Sequence, residues 1–239
     1  MPLPTIVTPS YELELPSTGK KIKYRPFLVK EEKLLVLALE TENTKDISTA
    51  IKTVLKSCIQ TKGIKVENLP TFDIEYLFLN IRGKSVGEEV DVNLIAPDDG
   101  VTEVPVTINI DDIKIQKNKD HNSKVKLDES LVMEMKYPSL DQFIKSNFDF
   151  TEEANMDQSF DLIASCIEQV YSEEESWTAE DCTKKEVKDF LEQMNSMQFK
   201  EIEKFFETMP KLSHNVTFTN PKTEVESTVV LEGLSSFFA

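Results

Sequence analysis

The sequence is poor in the residues that usually carry out catalysis or hold metal ions. Its 239 residues include two histidines, His121 and His214, and neither lies in a motif with a serine or cysteine nucleophile. The three cysteines, Cys58, Cys166 and Cys182, are far apart and lack the spacing of metal ligands, which favours structural thiols in a reducing compartment. We therefore predict that the chain is not an enzyme and has no catalytic, cofactor-binding or metal-binding residues.

Long apolar segments are also missing. No apolar run reaches the roughly 18 residues that a membrane-spanning helix requires. The opening segment, "MPLPTIVTPSYELEL", lacks the basic start and the apolar stretch of a secretory signal peptide. We expect neither secretion nor a membrane partner.

Basic residues are outnumbered, with 27 lysines and arginines against 43 aspartates and glutamates and a net charge of −16. Because this charge repels nucleic acid and anionic lipid, we expect no nucleic-acid partner. Most of the excess lies in residues 149–208, which hold 17 acidic and 5 basic side chains. This segment fits either a solvated helix surface or a docking surface for a basic partner.

Hydrophobic patterns in the first part of the chain predict a mixture of hairpins and helices. The segments "YELEL" and "KIKYRPF" flank the turn "PSTGK" and predict an N-terminal hairpin. Helices are predicted over residues 30–41, 46–60 and 71–82, and the first should be buried because it is apolar nearly all round. Alternation then predicts strands in "EEVDVNLIA", "EVPVTINID" and "SLVMEMKY", with a polar loop over residues 116–124.

The second part predicts helices followed by another hairpin. Capping-box pairs, Ser139 with Gln142 and Thr183 with Glu186, mark two helix starts. Apolar spacing predicts one long helix that includes residues 156–171, and a later helix stops at Pro210. The segments "HNVTFT" and "EVESTVVLEG" predict a C-terminal hairpin.

These patterns together predict an α+β fold, with a helical core and two or more antiparallel β-hairpins that include the N-terminal and C-terminal ones. We divide the chain into an α+β part, residues 1–137, and an acidic helical part, residues 138–239, which ends in a hairpin and an apolar tail.

The segment Gly83-Lys84-Ser85 carries the last three letters of a phosphate-binding loop. The glycine that should open such a loop is replaced by Phe78, and the predicted order is helix then strand, which is inverted. We interpret Gly83 as a left-handed residue that ends the preceding helix, and we expect no nucleotide site.

Two predicted hairpins share a sequence plan, in "VNLIAPDDGVTEVPV" and "VTFTNPKTEVESTV". In a zinc knuckle each turn would supply two cysteines, but the four positions hold Ala96, Asp99, Asn220 and Thr223. We therefore predict no bound zinc. A chance similarity and a degenerate pair of ribbons both remain open.

The tail "LSSFFA" supplies the candidate partner-binding residues. Leu234, Phe237 and Phe238 have i, i+3, i+4 spacing at the C-terminus, where chains fray unless they are held. They could dock on the chain's own core or, as a helix in a groove, on a partner.

Three segments, "YRPFLVKEEKLL", "LPTFDIEYLFLNIRGKSVGE" and "VVLEGLSSFF", resemble the baseplate hub assembly proteins of T-even-type contractile-tailed bacteriophages. The resemblance covers most of the chain. It implies a non-enzymatic morphogenesis protein that assists assembly of the baseplate central hub in the host cytoplasm, as an assembly chaperone bound to other hub or tail proteins. A permanent structural subunit of the virion baseplate or tail is the alternative, and an acidic mimic of nucleic acid is a third possibility.

Overall fold

The computed structural model describes residues 6–145 and 156–233, and these residues contain seven α-helices and eleven β-strands. The fold class is α+β, with antiparallel hairpins near both ends, as the sequence predicts. In chain order the elements are β1 (Tyr11–Glu14), β2 (Lys21–Tyr24), α1 (Val29–Leu39), α2 (Thr44–Cys58), α3 (Thr71–Val86), β3 (Glu89–Ile95), β4 (Glu103–Asn109), β5 (Lys114–Gln116), β6 (Lys124–Lys126), β7 (Val132–Met135), α4 (Leu140–Lys145), α5 (Met156–Cys166), β8 (Ile167–Tyr171), β9 (Ser176–Thr178), α6 (Lys184–Glu192), α7 (Ser196–Thr208), β10 (Lys211–Thr219) and β11 (Glu226–Glu232).

The first compact unit contains the described residues up to Val66, Phe72–Gln116 and those from Lys211 onward. It holds α1 to α3, the hairpins β1–β2 and β3–β4, and a three-stranded sheet in the order β11-β10-β5. Helix α3 is apolar over most of its surface and is buried accordingly. Helix α2 buries a single apolar stripe at helical spacing, which consists of Ala50, Ile51, Val54, Leu55 and Cys58.

The second unit comprises Glu67–Thr71 and Lys117–Pro210. Its four-stranded antiparallel sheet has the order β6-β7-β8-β9, and the core packs β6 and β7 against side chains of α5, α6 and α7. The predicted capping boxes are confirmed, because Glu186 N–H bonds the Thr183 hydroxyl and Gln142 accepts from Ser139 N–H. These caps fix where α4 and α6 begin.

The C-terminal hairpin pairs with a strand from the N-terminal part of the chain. Lys211 to Ser213 of β10 lie antiparallel to Lys114 to Gln116 of β5, so both segments share one sheet. The expected division into residues 1–137 and 138–239 stays a prediction. The two compact units group residues that pack together, and such a grouping does not test whether a segment folds independently.

Helix α1 differs from its expected burial. It packs on α2, its Glu31 and Ala38 are buried, and most of its apolar side chains remain exposed. An apolar composition on all sides therefore does not mark a core helix here, since burial depends on how much of the helix its neighbours cover.

The interpretation of Gly83 as a helix terminator is wrong. Helix α3 continues through Gly83 to Val86, and the positive φ of 132° belongs to Gly87. A Cβ at position 83 would lie 3.4 Å from the Ile110 side chain, which is an ordinary contact distance, so neither space nor backbone conformation requires glycine at this position.

The long helix predicted through residue 171 ends at Cys166. From Ile167 the chain turns into β8, which pairs with β7 on one side and β9 on the other. The β-branched Ile167 and Val170 suit a strand, and the hydrogen-bonding edge of β7 supplies a partner that periodicity along one segment cannot reveal. The predicted loop over residues 116–124 is shorter, because its ends belong to β5 and β6.

Candidate interaction surfaces

Helix α1 exposes an unusual amount of apolar surface. Its exposed side chains, here called the α1 surface, are Val29, Leu34, Val36, Leu37 and Leu39, with exposed fractions of 79%, 37%, 50%, 51% and 46%. Scattered single apolar residues are normal on protein surfaces, but five exposed ones on one helix of 11 residues are a concentration of apolar side chains. Such a concentration fits a binding surface.

A buried ion pair fixes the start of α1. The Glu31 carboxylate accepts from Arg25 Nη2 at 3.0 Å and from the backbone N–H of Leu28 at 2.8 Å. Burial raises the pKa of Glu31, but the hydrogen bonds from Arg25 and Leu28 outweigh it and leave the pKa below its ordinary value. The second Arg25 nitrogen, Nη1, donates to Pro26 O at 2.8 Å. The pair therefore ties the helix to the chain that enters from β2.

The end of α3 is tied to the residues before α1. The Phe27 N–H donates to Ser85 Oγ at 2.9 Å, which holds the residues before α1 against the last turn of α3. Val86, next to Ser85, is 59% exposed. Sequence reasoning missed the whole region because an apolar helix is usually read as buried. The signal that could have found it is the pair of charged residues, Lys33 and Glu40, which interrupts the apolar residues along one helical face.

The second unit carries an apolar groove between β8–β9 and α6. This Trp177 groove has a volume of about 320 Å³, and its lining includes Leu131, Ile167, Val170, Trp177, Val187 and Phe190. The Trp177 side chain is 42% exposed, although tryptophan usually buries most of its large surface. A pocket of this size takes one or two large side chains.

Acidic side chains belong to the elements that form the Trp177 groove. Glu186 lies in its wall, and the turn between β8 and β9 carries Glu173, Glu174 and Glu175, all exposed. A neighbouring cavity of about 520 Å³ is lined by Asp161 together with Lys184 and Lys188 of α6, so its lining is not acidic. Glu186 and the glutamates of the turn between β8 and β9 favour an apolar or aromatic side chain that has basic neighbours.

The three phosphate-loop letters lie inside helix α3, and their side chains already have partners. Lys84 forms an ion pair with Glu88, and the hydrogen bond between them raises the pKa of Lys84. The Ser85 hydroxyl donates to Ile81 O at 2.6 Å and accepts from Phe27 N–H. This segment therefore fastens α3 to the start of α1.

The turns of the two similar hairpins contact each other. Asn220 Nδ2 donates to both carboxylate oxygens of Asp98 at 3.1 Å, and the Thr223 hydroxyl donates to the same group. The hydroxyl of Thr223, followed by the amide of Asn220, lowers the pKa of Asp98.

The two turns also share a backbone geometry. Each closes with an N–H to C=O bond of 2.9 Å, from Gly100 to Ala96 and from Glu224 to Asn220, and both donors have positive φ. Hydrogen bonds thus join the turns where a pair of zinc ribbons would use thiolates. Within residues 6–145 and 156–233, no group of three or more His, Cys, Asp or Glu side chains could hold a metal ion.

His121 is packed and hydrogen-bonded. Its Nδ1 lies 2.9 Å from the Thr208 hydroxyl, which itself donates to Lys204 O, so Nδ1 carries the proton. Its Nε2 then accepts from the Tyr137 hydroxyl at 2.9 Å. Burial lowers the pKa of His121, and the neutral ring stacks on Tyr137. His214 lies in β10 opposite Leu231.

The thiols of Cys58 and Cys166 are buried. Burial raises the pKa of Cys58 to about 11 and that of Cys166 to about 12, so both stay protonated at neutral pH. A protonated buried thiol is a packing group, and Cys182 is half-buried beside the Trp177 groove.

The predicted partner-binding residues Leu234, Phe237 and Phe238 lie outside the described residues. The last described residue, Gly233, has a φ of 70° and donates its N–H to Leu212 O at 3.1 Å. None of the helices in the described part of the chain is long and apolar enough to span a membrane.

A family model described as T4 bacteriophage base plate protein matches residues 8–239. No curated protein and no solved structure shows a significant match.

Proposed function

Since the chain belongs to the T4 bacteriophage base plate protein family, we propose that it is a non-enzymatic assembly chaperone for the central hub of the phage baseplate. Family membership supports a place among baseplate proteins and an interaction with other baseplate or tail proteins. The chaperone role is the finer part of the proposal, and it depends on how the exposed surfaces are used.

The observation that carries the proposal is the Trp177 groove. Its apolar lining and exposed indole can hold large side chains of a partner, and tryptophan is enriched at the residues that dominate binding energy. A groove of about 320 Å³ gives a small, reversible contact, which suits a factor that must later release its partner.

The acidic side chains of the groove wall and of the turn between β8 and β9 indicate the chemistry of the partner segment. Glu173 to Glu175 and Glu186 favour lysine or arginine beside an apolar anchor, and they disfavour acidic segments. We therefore commit to a hub protein segment in which an aromatic or aliphatic residue has basic neighbours.

A permanent structural subunit is the second candidate. The α1 surface favours it, because a second exposed apolar region on the other unit would allow the chain to be enclosed between neighbours in the finished baseplate.

The test combines a pull-down from infected cells with mass spectrometry of purified virions. We expect Trp177→Ala to lose hub proteins at least about tenfold relative to the unaltered chain, since tryptophan anchors cost most when truncated. The matched control is Met197→Ala, which removes another apolar side chain, 81% exposed, on the same unit but outside the groove lining.

The virion measurement separates the two candidates. A chaperone is absent from virions but bound to hub intermediates, whereas a structural subunit is present in stoichiometric amount. A chain that binds no hub protein in infected cells, or a Trp177→Ala variant that binds as well as Met197→Ala, overturns the proposal.

A further inference from the structure

The outward face of α1 has a definite order of charged and apolar residues. Successive residues are separated by about 100° around the helix axis and about 1.5 Å along it. Glu31 and Ala38 point toward the body of the unit, so the opposite side presents Lys33, Val36 with Leu37, and Glu40. Glu40, the C-cap, keeps right-handed helical φ and ψ, which places its side chain on the same face.

This order is complementary to itself. Lys33 and Glu40 lie at equal distances in sequence from the midpoint between Val36 and Leu37. A two-fold axis through that midpoint, perpendicular to the helix, sets Lys33 against the partner's Glu40 and Val36 against the partner's Leu37. Neither Lys33 nor Glu40 takes part in an ion pair among the residues that the structure describes.

We propose that two copies of the chain associate through antiparallel pairing of their α1 helices about this axis. Parallel pairing would set like charges side by side, whereas the antiparallel arrangement satisfies both charges twice and covers Val36 and Leu37, which are about half exposed in the single chain. The inference goes beyond the proposed function and does not depend on it, because hub binding is assigned to the Trp177 groove on the other unit.

The contact is small, and the dimer must therefore be weak. A helix of 11 residues is about 16 Å long, and a pair of such helices covers far less than the roughly 1,200 Å² that stable complexes bury. We expect a dissociation constant of about 10–1,000 µM, so that a stronger partner could displace the second copy.

The experiment is sedimentation velocity on the full chain at concentrations from about 10 to 500 µM, the range in which a weak dimer forms and dissociates. The unaltered chain should shift from monomer to dimer across this range. Lys33→Glu alone sets carboxylate against carboxylate, and Glu40→Lys alone sets ammonium against ammonium, so each should weaken association at least about tenfold.

A mixture of the two single variants tests the proposed pairing most directly. In a mixed dimer, each altered charge meets an opposite charge, so association should return when Lys33→Glu and Glu40→Lys are combined in one tube. The double variant, with both exchanges in one chain, should pair with itself as the unaltered chain does. Lys65→Glu makes the same change in charge at an exposed site after α2 and should leave the dimer unchanged.

Both altered side chains are exposed, so folding is expected to persist, and circular dichroism of each variant verifies this. An unaltered chain that stays monomeric at the highest concentration overturns the proposal. So does a dimer that survives each single reversal, or a mixture of the two variants that fails to associate.

Discussion

The Glu31–Arg25 pair should determine how firmly α1 is held. Glu31→Gln keeps the size of the side chain and one carbonyl oxygen that can still accept from Leu28 N–H. It removes the negative charge, and it can present an amide N–H to the guanidinium, which is itself a donor. Arg25, only 15% exposed, would then be left as a mostly buried cation without its counter-charge.

The expected cost follows from burial. Removing one partner of a fully buried ion pair costs about 3–5 kcal/mol, and the partial exposure of Arg25 reduces this to about 2–3 kcal/mol. For a chain of this length, 1 kcal/mol shifts Tm by about 2–4 °C, so Glu31→Gln should lower Tm by about 4–12 °C. The next residue, Glu32, is exposed, and Glu32→Gln is the matched control, with an expected shift within about 2 °C.

The assay is thermal unfolding followed by circular dichroism at several pH values. Because the pKa of Glu31 lies below 4.5 in the folded state, its stabilisation is present above about pH 4.5 and is lost as the pH falls through the folded pKa. The difference in Tm between the unaltered chain and Glu31→Gln should therefore shrink below pH 4.5.

A double-mutant cycle isolates the pair. In an Arg25→Met background the further change Glu31→Gln should cost less than it does alone, since the cation that it strands is gone. The reasoning is refuted if Glu31→Gln melts like Glu32→Gln at neutral pH, or if its effect is the same with and without Arg25.

The remaining predictions address other parts of the chain. Gly83→Ala should stabilise the fold by about 0.5–1 kcal/mol, because Ala is the better helix former and its Cβ would meet Ile110 at an ordinary contact distance. Gly87→Ala should instead destabilise the fold by about 1–3 kcal/mol, because Gly87 has a positive φ. A lower Tm for Gly83→Ala would contradict the continued helix. Burial lowers the pKa of His121, so its neutral ring stabilises the fold above about pH 6.5, and this contribution declines as the pH falls. His121→Phe should therefore flatten the dependence of Tm on pH just below pH 6.5. An unchanged slope of Tm against pH would count against the packing described. Deletion of residues 234–239 should lower Tm or abolish hub binding, and unchanged melting with unchanged pull-down would exclude a role for the tail.

Local patterns predicted the elements that depend on neighbouring residues in the chain. The stripe of α2 is buried as its spacing predicts, and the capping pairs at Ser139 and Thr183 start helices where their side chains can reach the free N–H groups. Both terminal hairpins also follow from alternation around a turn. The wrong predictions concern Gly83, the segment after Cys166, and α1.

Two of those errors have one physical origin. Ile167 begins a strand because β7 offers a hydrogen-bonding edge. Most apolar side chains of α1 remain exposed because the segments packed around the helix leave them uncovered. In each case a segment distant along the chain determines the environment of the residues concerned. Periodicity within one segment carries no information about such a distant neighbour.

The candidate surfaces show the same limit. Composition and family motifs pointed to a phage baseplate protein without a catalytic arrangement, and the family match confirms the baseplate part. The Trp177 groove depends on the packing of β8 and β9 beside α6, and the α1 surface depends on which side of the helix faces its neighbour. The sequence by itself determined the charge, the hairpins and most of the helix starts, because these depend on residues close together in the chain. Only the tertiary structure decided which apolar residues remain exposed, because burial is a property of the space that other segments fill.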